Sequence, residues 1–240
     1  KNQKTTAVIA VSGGIDSALS LSLLARALPL EQIVPVFLPY KNQNTEDARV
    51  LCSFLKIPEK NWQTMQIENI VDACVDTIAT QLSSVRLGNI MARTRMILAY
   101  DLAKSRDALV CGTENKSEHF LGYFTRFGDA ASDIEPISHL YKTQVRHCVQ
   151  YLGLPSVFLE KAPSAGLWSG QTDESEMGFG YEEADQVLYQ FFDKKIKPEN
   201  ISDVPSEIVK KILQHVESMR FKREVPYLPM TSTGAENSHG

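Results

Sequence analysis

Residues 12–17, Ser12-Gly13-Gly14-Ile15-Asp16-Ser17, have the types and spacing of an anion cradle. Two adjacent glycines permit backbone angles that side chains oppose and let a ligand reach the main chain, while Ser12 and Ser17 add hydroxyl donors. Asp16 is the odd member. A carboxylate among phosphate-binding groups repels the ligand unless a divalent cation lies between them, so it points to a magnesium–nucleotide complex. The plain alternative is a tight turn whose serines only cap the following helix.

The elements that must hold this loop are legible around it. Residues 6–11 are apolar and β-branched, with the length of a buried parallel strand, and residues 18–28 carry leucines and alanines at helical spacing. The loop is therefore a strand-to-helix turn whose amides belong to a helix N-terminus. Further strands are expected at 33–38, 61–67, 107–112 and 134–137. Helices are expected at 44–55 (with Thr45 as its cap), 68–84, 88–104, 142–152, 181–192 and 205–219. The alternation predicts an α/β fold, a doubly wound parallel sheet of about five strands flanked by helices. Strand carboxyl ends face the ligand crevice in such a sheet, which puts Leu38 to Tyr40 near a bound adenosine.

Other chemistry-bearing residues have two readings each. The polar run 113–118 follows a strand and fits a site at the sheet's carboxyl edge, although Ser117 and Glu118 would equally suit a helix start. Arg93 and Arg95 are two apart and so face different directions; solvated surface is the plain alternative. The stretches 122–133 and 162–174 are either lids or connections. Asp173, Glu174 and Glu176 suggest a metal site or a solvated helix N-terminus.

Composition narrows the class. With 25 basic and 29 acidic residues the net charge is −4, which gives no general electrostatic reason to bind nucleic acid or an anionic membrane. No apolar run of spanning length and no signal-peptide pattern occur, so a cytoplasmic protein is expected. The four cysteines are scattered without metal spacing, as reduced thiols would be. The 240 residues suit one domain, 1–225, with a flexible tail, 226–240.

The first motif matches S-G-G-x-D-S, the pyrophosphate-binding loop of the ATP pyrophosphatase superfamily; no Gly-Lys-Ser/Thr follows, so it is not a Walker loop. The remaining motifs make the resemblance narrower. G-N-I-M-A-R-T-R-M at Gly88, G-T-E-N-K-S-E at Gly112, G-Y-F-T-R-F-G-D at Gly122, P-S-A-G-L-W-S-G-Q-T-D-E at Pro163 and F-K-R at Phe221 together resemble the NAD synthetase family. They run through most of the chain in the family's order.

That resemblance implies a Rossmann-like fold of the adenine nucleotide α-hydrolase type. It also implies amidation of deamido-NAD with ATP and ammonia through an acyl adenylate, giving NAD, AMP and pyrophosphate. By the same resemblance Ser12, Gly13, Gly14, Ile15, Asp16, Ser17, Leu38, Tyr40, Thr113, Lys142 and Ser164 would contact ATP. Asp16 and Glu118 would bind magnesium. Arg93, Arg126, Asp133, Phe221 and Lys222 would meet deamido-NAD, with Asp133 a candidate for binding or deprotonating ammonium beside the catalytic Asp16 and Lys142. Two positions depart from the pattern: Arg126 stands where many members have lysine, and Phe221 where many have histidine. The family implies a homodimer. Glutamine-using members carry a further amidase domain for which 240 residues leave no room, so free ammonia is the expected donor. The rival readings are another ATP pyrophosphatase, such as a GMP synthetase domain or a tRNA-thiolating enzyme, and a nucleotide-binding module without catalysis. Neither paired reactive cysteines nor a basic surface supports thiolation of tRNA.

Overall fold

Three continuous apolar runs, with no polar alternation that would suit an exposed face, form the longer strands of a parallel sheet. In the computed structural model, which describes residues 4–161, 173–224 and 226, they are β1 (Thr6–Ala10), β2 (Ile33–Phe37) and, fourth in chain order, β4 (Ala108–Cys111). A two-residue strand, β3 (Gln63–Thr64), makes one edge, and the order is β3-β2-β1-β4 with every pair parallel.

Successive strand side chains point to opposite faces, so the sheet has two cores. Ala7 and Ile9 of β1 pack with α1 (Ile15–Ala27), α2 (Glu46–Phe54), α6 (Lys142–Tyr151) and α7 (Val157–Glu160). Val8 faces the other way, onto α3 (Glu68–Ile78) and α4 (Ser84–Ser105). A third apolar cluster lies apart from the sheet. It joins α5 (Lys116–Leu121), α8 (Asp173–Met177), α9 (Tyr181–Leu188) and α10 (Ser206–Ser218), with Leu121, Tyr181, Leu188 and Ile212 buried. A short α11 (Arg220–Arg223) follows.

β1 lies between β2 and β4, so the winding direction reverses at its edge with β4. The crevice outside the carboxyl ends of β1 and β4 is therefore the topological switch point where open α/β sheets bind ligands. The turn after β1 is the glycine loop, and the turn after β4 is the polar run 112–118.

The expected fifth strand at 134–137 shrinks to a single parallel bridge between Cys111 and Ile134. Pro136 has no N–H to extend the ladder. The Asp133 carboxylate has also taken the Val110 N–H, at 2.8 Å. The third strand is likewise shorter than 61–67, and the helix expected to reach 84 ends at Ile78, with Ala79 at φ 52°. Thr45 occupies the cap position of α2 but makes no capping bond; Asn44 Oδ1 accepts from the Glu46 N–H at 2.7 Å instead. The helix expected over 181–192 becomes α9 and a single π-type turn, Tyr189–Asp193.

Gly112 ends β4 against a wall. A Cβ there would overlap the Glu135 carboxylate and stand 2.8 Å from Ser132 Cβ. Gly112→Ala should therefore lower stability by about 1–3 kcal/mol, the usual cost of overpacking. Measured by urea unfolding, Gly112→Ala with Glu135→Ala should lose less than the two single variants summed; strict additivity would refute the clash.

Candidate functional site

The turn from β1 to α1 ties its hydroxyls together and leaves α1 without a side-chain cap. Gly13 is at φ +78°, and a Cβ on it would press on Asp47 Cβ, 3.2 Å away at the start of α2. Gly14 caps α1 with no side-chain bond, leaving the helix's first-turn amides directed at the crevice. The Ser17 hydroxyl donates to the Gly14 carbonyl at 2.9 Å, so in the 3.1 Å contact between the two serine hydroxyls Ser12 is the donor.

Across the switch point α5 begins with a capping box. The Asn115 side-chain oxygen accepts from the Glu118 N–H at 3.0 Å, and Glu118 Oε2 accepts from the Asn115 N–H at 3.4 Å. Asn115 Nδ2 is then free to donate to Asp16 Oδ1, at 2.8 Å. The cap of one helix thus orients a carboxylate on another.

Lys142, the first residue of α6, closes the arrangement. Its Nζ donates to Asp16 Oδ2 at 2.6 Å and to Glu118 Oε1 at 2.8 Å, with a side chain only 3% exposed and the Tyr181 ring 5.2 Å below. Burial opposes its charge, but Asp16 and Glu118 more than offset that and hold its pKa above the ordinary lysine value. Burial, with Asp16 alongside, pushes Glu118 above the usual carboxylate range against the pull of Lys142. Fully ionised, the trio carries one surplus negative charge. Two carboxylates converging from different helices are hard donors of the kind magnesium takes, with phosphates and water completing its octahedron. Asp16 and Glu118 therefore fit a magnesium ion shared with a nucleotide. Among the described residues no group of three or more His, Cys, Asp or Glu side chains could hold a metal alone, Asp173 and Glu174 included. Instead Asp173 accepts from the Tyr181 hydroxyl at 2.9 Å and Glu174 from the Tyr181 N–H at 3.3 Å.

Asp185 stands behind the trio. It accepts from the Ser117 hydroxyl at 2.5 Å and from the Thr143 N–H at 2.8 Å, while Ser117 Oγ accepts the Lys142 N–H at 2.8 Å. One buried carboxylate thus fixes the starts of α5 and α6. Sequence reasoning passed over it, although the signal was there. Tyr181, Ala184, Asp185 and Leu188 share the buried helical face, where an aspartate needs polar partners.

The residues expected around adenosine surround a different arginine. Arg95 Nε donates to the Leu38 carbonyl at 3.0 Å, and its Nη2 to Gln43 Oε1 at 2.7 Å. Gln43 Oε1 also accepts the Tyr40 N–H at 2.9 Å, and the Tyr40 hydroxyl donates to Asp72 at 2.8 Å. Arg95, for which solvated surface is one of two readings, is what shapes the 38–43 turn. Thr113 is half-buried immediately after β4 and Gly112. Ser164 and the rest of 162–172 lie outside the described residues.

Four of the five residues expected at deamido-NAD come together. Exposed Arg93 donates to the Arg126 carbonyl at 3.2 Å, and Arg126 Nη1 to the Phe221 carbonyl at 3.2 Å. The Arg126 guanidinium also lies over the rings of Phe127 and Phe221, at 5.3 and 5.9 Å. Lys222 Nζ donates to the carbonyls of Gly122 and Phe124, at 2.6 and 2.7 Å. Phe127, 58% exposed and at φ 60°, is an unforeseen member. Asp133 is bound elsewhere, through the β4 backbone at Val110. Its neighbour Glu135 accepts from the Ser132 hydroxyl at 2.6 Å and the Glu114 N–H at 3.1 Å, pinning the turn after β4.

The sequence model of the NAD synthase family matches residues 1–226. The chain belongs to that family. A curated relative, the NH3-dependent NAD(+) synthetase of Thermococcus sibiricus, is 41% identical over 226 residues, covering 92% of this chain and 88% of that protein. Among solved structures of the family's fold, NMN synthetase from Francisella tularensis superposes with a TM-score of 0.80 at 35% identity, covering 95% of this chain and 90% of that one. The NH3-dependent NAD synthetase from Campylobacter jejuni, solved with nitrate, gives 0.78 at 31%, covering 96% and 92%. The two solved structures share the chain's fold nearly end to end.

Burial pushes the Glu135 carboxyl up to about 7, and Glu114 and Asp129 add to the rise against the Ser132 hydrogen bond. The folded chain therefore holds this proton more tightly than the unfolded one, so stability falls as pH rises from about 4.5 towards 7 and levels beyond it. Glu135→Gln removes this slope. Urea unfolding at pH 5 and pH 8 should show the variant gaining on the parent at the higher pH; an unchanged difference would refute the assignment.

Proposed function

We propose that this chain activates the nicotinate carboxylate of deamido-NAD with ATP and transfers the acyl group to ammonia, forming NAD in the last step of its synthesis. The observation that carries the reading is the buried Lys142, held by Asp16 and Glu118 beside the uncapped N-terminus of α1. That is a place where a pyrophosphate leaving group is stabilised.

A carboxylate oxygen of the acceptor attacks the α-phosphorus of ATP, and the bond to the bridging oxygen breaks. Pyrophosphate departs with that electron pair. Ser12, Gly13, Gly14, Ile15 and Ser17 receive it through amides and hydroxyls, and Lys142 turns its ammonium to it. Asp16 and Glu118 would hold magnesium, which when bound neutralises charge on the phosphate oxygens. Leu38, Tyr40, Thr113 and Ser164 bind the rest of ATP. Ammonia adds to the carbonyl carbon, its surplus proton passes to water, and AMP leaves with the acyl oxygen's bonding pair. Arg93, Arg126, Phe221 and Lys222 bind the dinucleotide. Asp133, with one oxygen bonded to the β4 backbone, presents the other to ammonium.

Residues 1–225 act as one unit in a cytoplasmic homodimer. Supporting the dimer are exposed apolar residues on α3 and α4, namely Ile70, Ile78, Val85 and Ile97. No helix among the described residues is long and apolar enough to cross a membrane. The Francisella neighbour, an NMN synthetase by name, favours one second reading, in which nicotinic acid mononucleotide is the acceptor.

The test is to incubate the protein with magnesium, ATP, either acceptor, and ammonium or glutamine, and to measure NAD, NMN and AMP. Expected is NAD from deamido-NAD with ammonium and none with glutamine; faster NMN formation would transfer the reading to the mononucleotide, and AMP without either amide would refute both. Lys142→Met should lower kcat by about 100-fold or more, the scale of losing one charge-stabilising donor. Light scattering should give about twice 26.8 kDa, with Ile97→Lys shifting the mass towards the monomer.

A further inference from the structure

The cation place between Asp16 and Glu118 is filled by the protein itself. All four carboxylate oxygens already accept: Asp16 Oδ1 from Asn115 Nδ2, Asp16 Oδ2 and Glu118 Oε1 from Lys142 Nζ, and Glu118 Oε2 from the Asn115 N–H. We propose that in the nucleotide-free protein the Lys142 ammonium occupies the divalent-cation position, so that the metal loads only together with phosphates that draw Lys142 away. This rests on the reading of Asp16 and Glu118 as metal ligands.

Distance and charge make the two cations exclusive. Magnesium holds carboxylate oxygen at about 2.0–2.1 Å. The ammonium already lies 2.6 and 2.8 Å from the two inward oxygens. With Lys142 in place the trio has a net charge of −1, and a divalent ion added beside the ammonium would make it +1 in a poorly hydrated site. Nor can Lys142 simply withdraw. Its side chain is 3% exposed, and leaving both carboxylates for no other anion would strand a buried charge. Its main chain is tied to Ser117, so only the side chain can move.

Nucleotide phosphates supply the missing anion. They arrive at the N-terminus of α1, whose first turn contains Asp16, so the same motion that pairs Lys142 with phosphate uncovers the two carboxylates. The lysine thus acts twice, as a place-holder that keeps the acids from being stranded and as a charge carried to the leaving group.

Manganese(II) binding, read by loss of the free-ion electron paramagnetic resonance signal, tests this without turnover. The arms are parent, Lys142→Met, Asp16→Asn and the double variant without nucleotide, and parent and Asp16→Asn with α,β-methylene-ATP. Expected is binding to nucleotide-free Lys142→Met at least tenfold tighter than to the parent, lost in the double variant. Equal, Asp16-dependent binding to nucleotide-free parent and Lys142→Met would overturn the place-holder while leaving the metal ligands standing. If Asp16→Asn changes binding in neither the Lys142→Met background nor the nucleotide arm, the ligand reading falls and the proposal with it. Should Lys142→Met not fold, Asp16-dependent binding to the nucleotide-free parent still overturns the proposal, and binding that appears only with the analogue supports it.

Discussion

The buried ion pairs of Lys142 are the constraint on which the rest of the site depends. They join the first turns of α1, α5 and α6, with Lys142 lying 126 residues from Asp16 and 24 from Glu118. Taking three charges from water costs several kcal/mol per ion unless each is paired and hydrogen-bonded. The surrounding structure gives all four carboxylate oxygens a donor, from Lys142 and Asn115, while Ser117 and Asp185 hold the main chain at the start of α6. A cluster of this kind is a weak source of net stability and a strong source of specificity. Few alternative packings would satisfy all its groups, so the arrangement selects one relative placement of three helices.

The sheet explains why those helices start where they do. Strands β1 and β4 are neighbours with the winding reversed between them, so the turns that follow them open side by side. A glycine loop on one turn and a polar cap on the other then meet without any long excursion of the chain. Each glycine serves that closeness differently. Gly13 lets the loop run against α2, and Gly112 lets β4 end against Glu135. The third apolar cluster carries Asp185 to the back of the site, which gives α9 a role in positioning although it never borders the sheet.

What was legible in the sequence follows the range of the interactions. Local patterns gave the four strands, the longer helices and the loop at Ser12–Ser17, but not the four-residue α7 and α11, because periodicity needs several turns to show. Lys142 and Glu118 came from motif resemblance, since nothing nearby in the chain requires them to meet Asp16. Arg95 and Asp185 were missed for the same physical reason: their partners, Leu38 and Ser117, are 57 and 68 residues away. The fifth strand was overread because apolar content at 134–137 says nothing of the backbone donor that Pro136 lacks or the one Asp133 captures.

Arg126 and Phe221, the two departures from the family pattern, turn out to be neighbours. Arg126 binds the main-chain carbonyl of Phe221, a contact that survives whatever side chain stands at 221. Its planar guanidinium lies over the Phe221 ring, which a lysine ammonium meets only as a point charge. Phenylalanine for histidine removes a hydrogen-bonding ring and leaves an aromatic face; arginine for lysine adds the flat cation that suits that face. The contact holds the Arg126 guanidinium beside the ring while Nη1 donates to the Phe221 carbonyl. The pair therefore couples an aromatic face at 221 to a planar cation at 126, and the positive charge at 126 is kept.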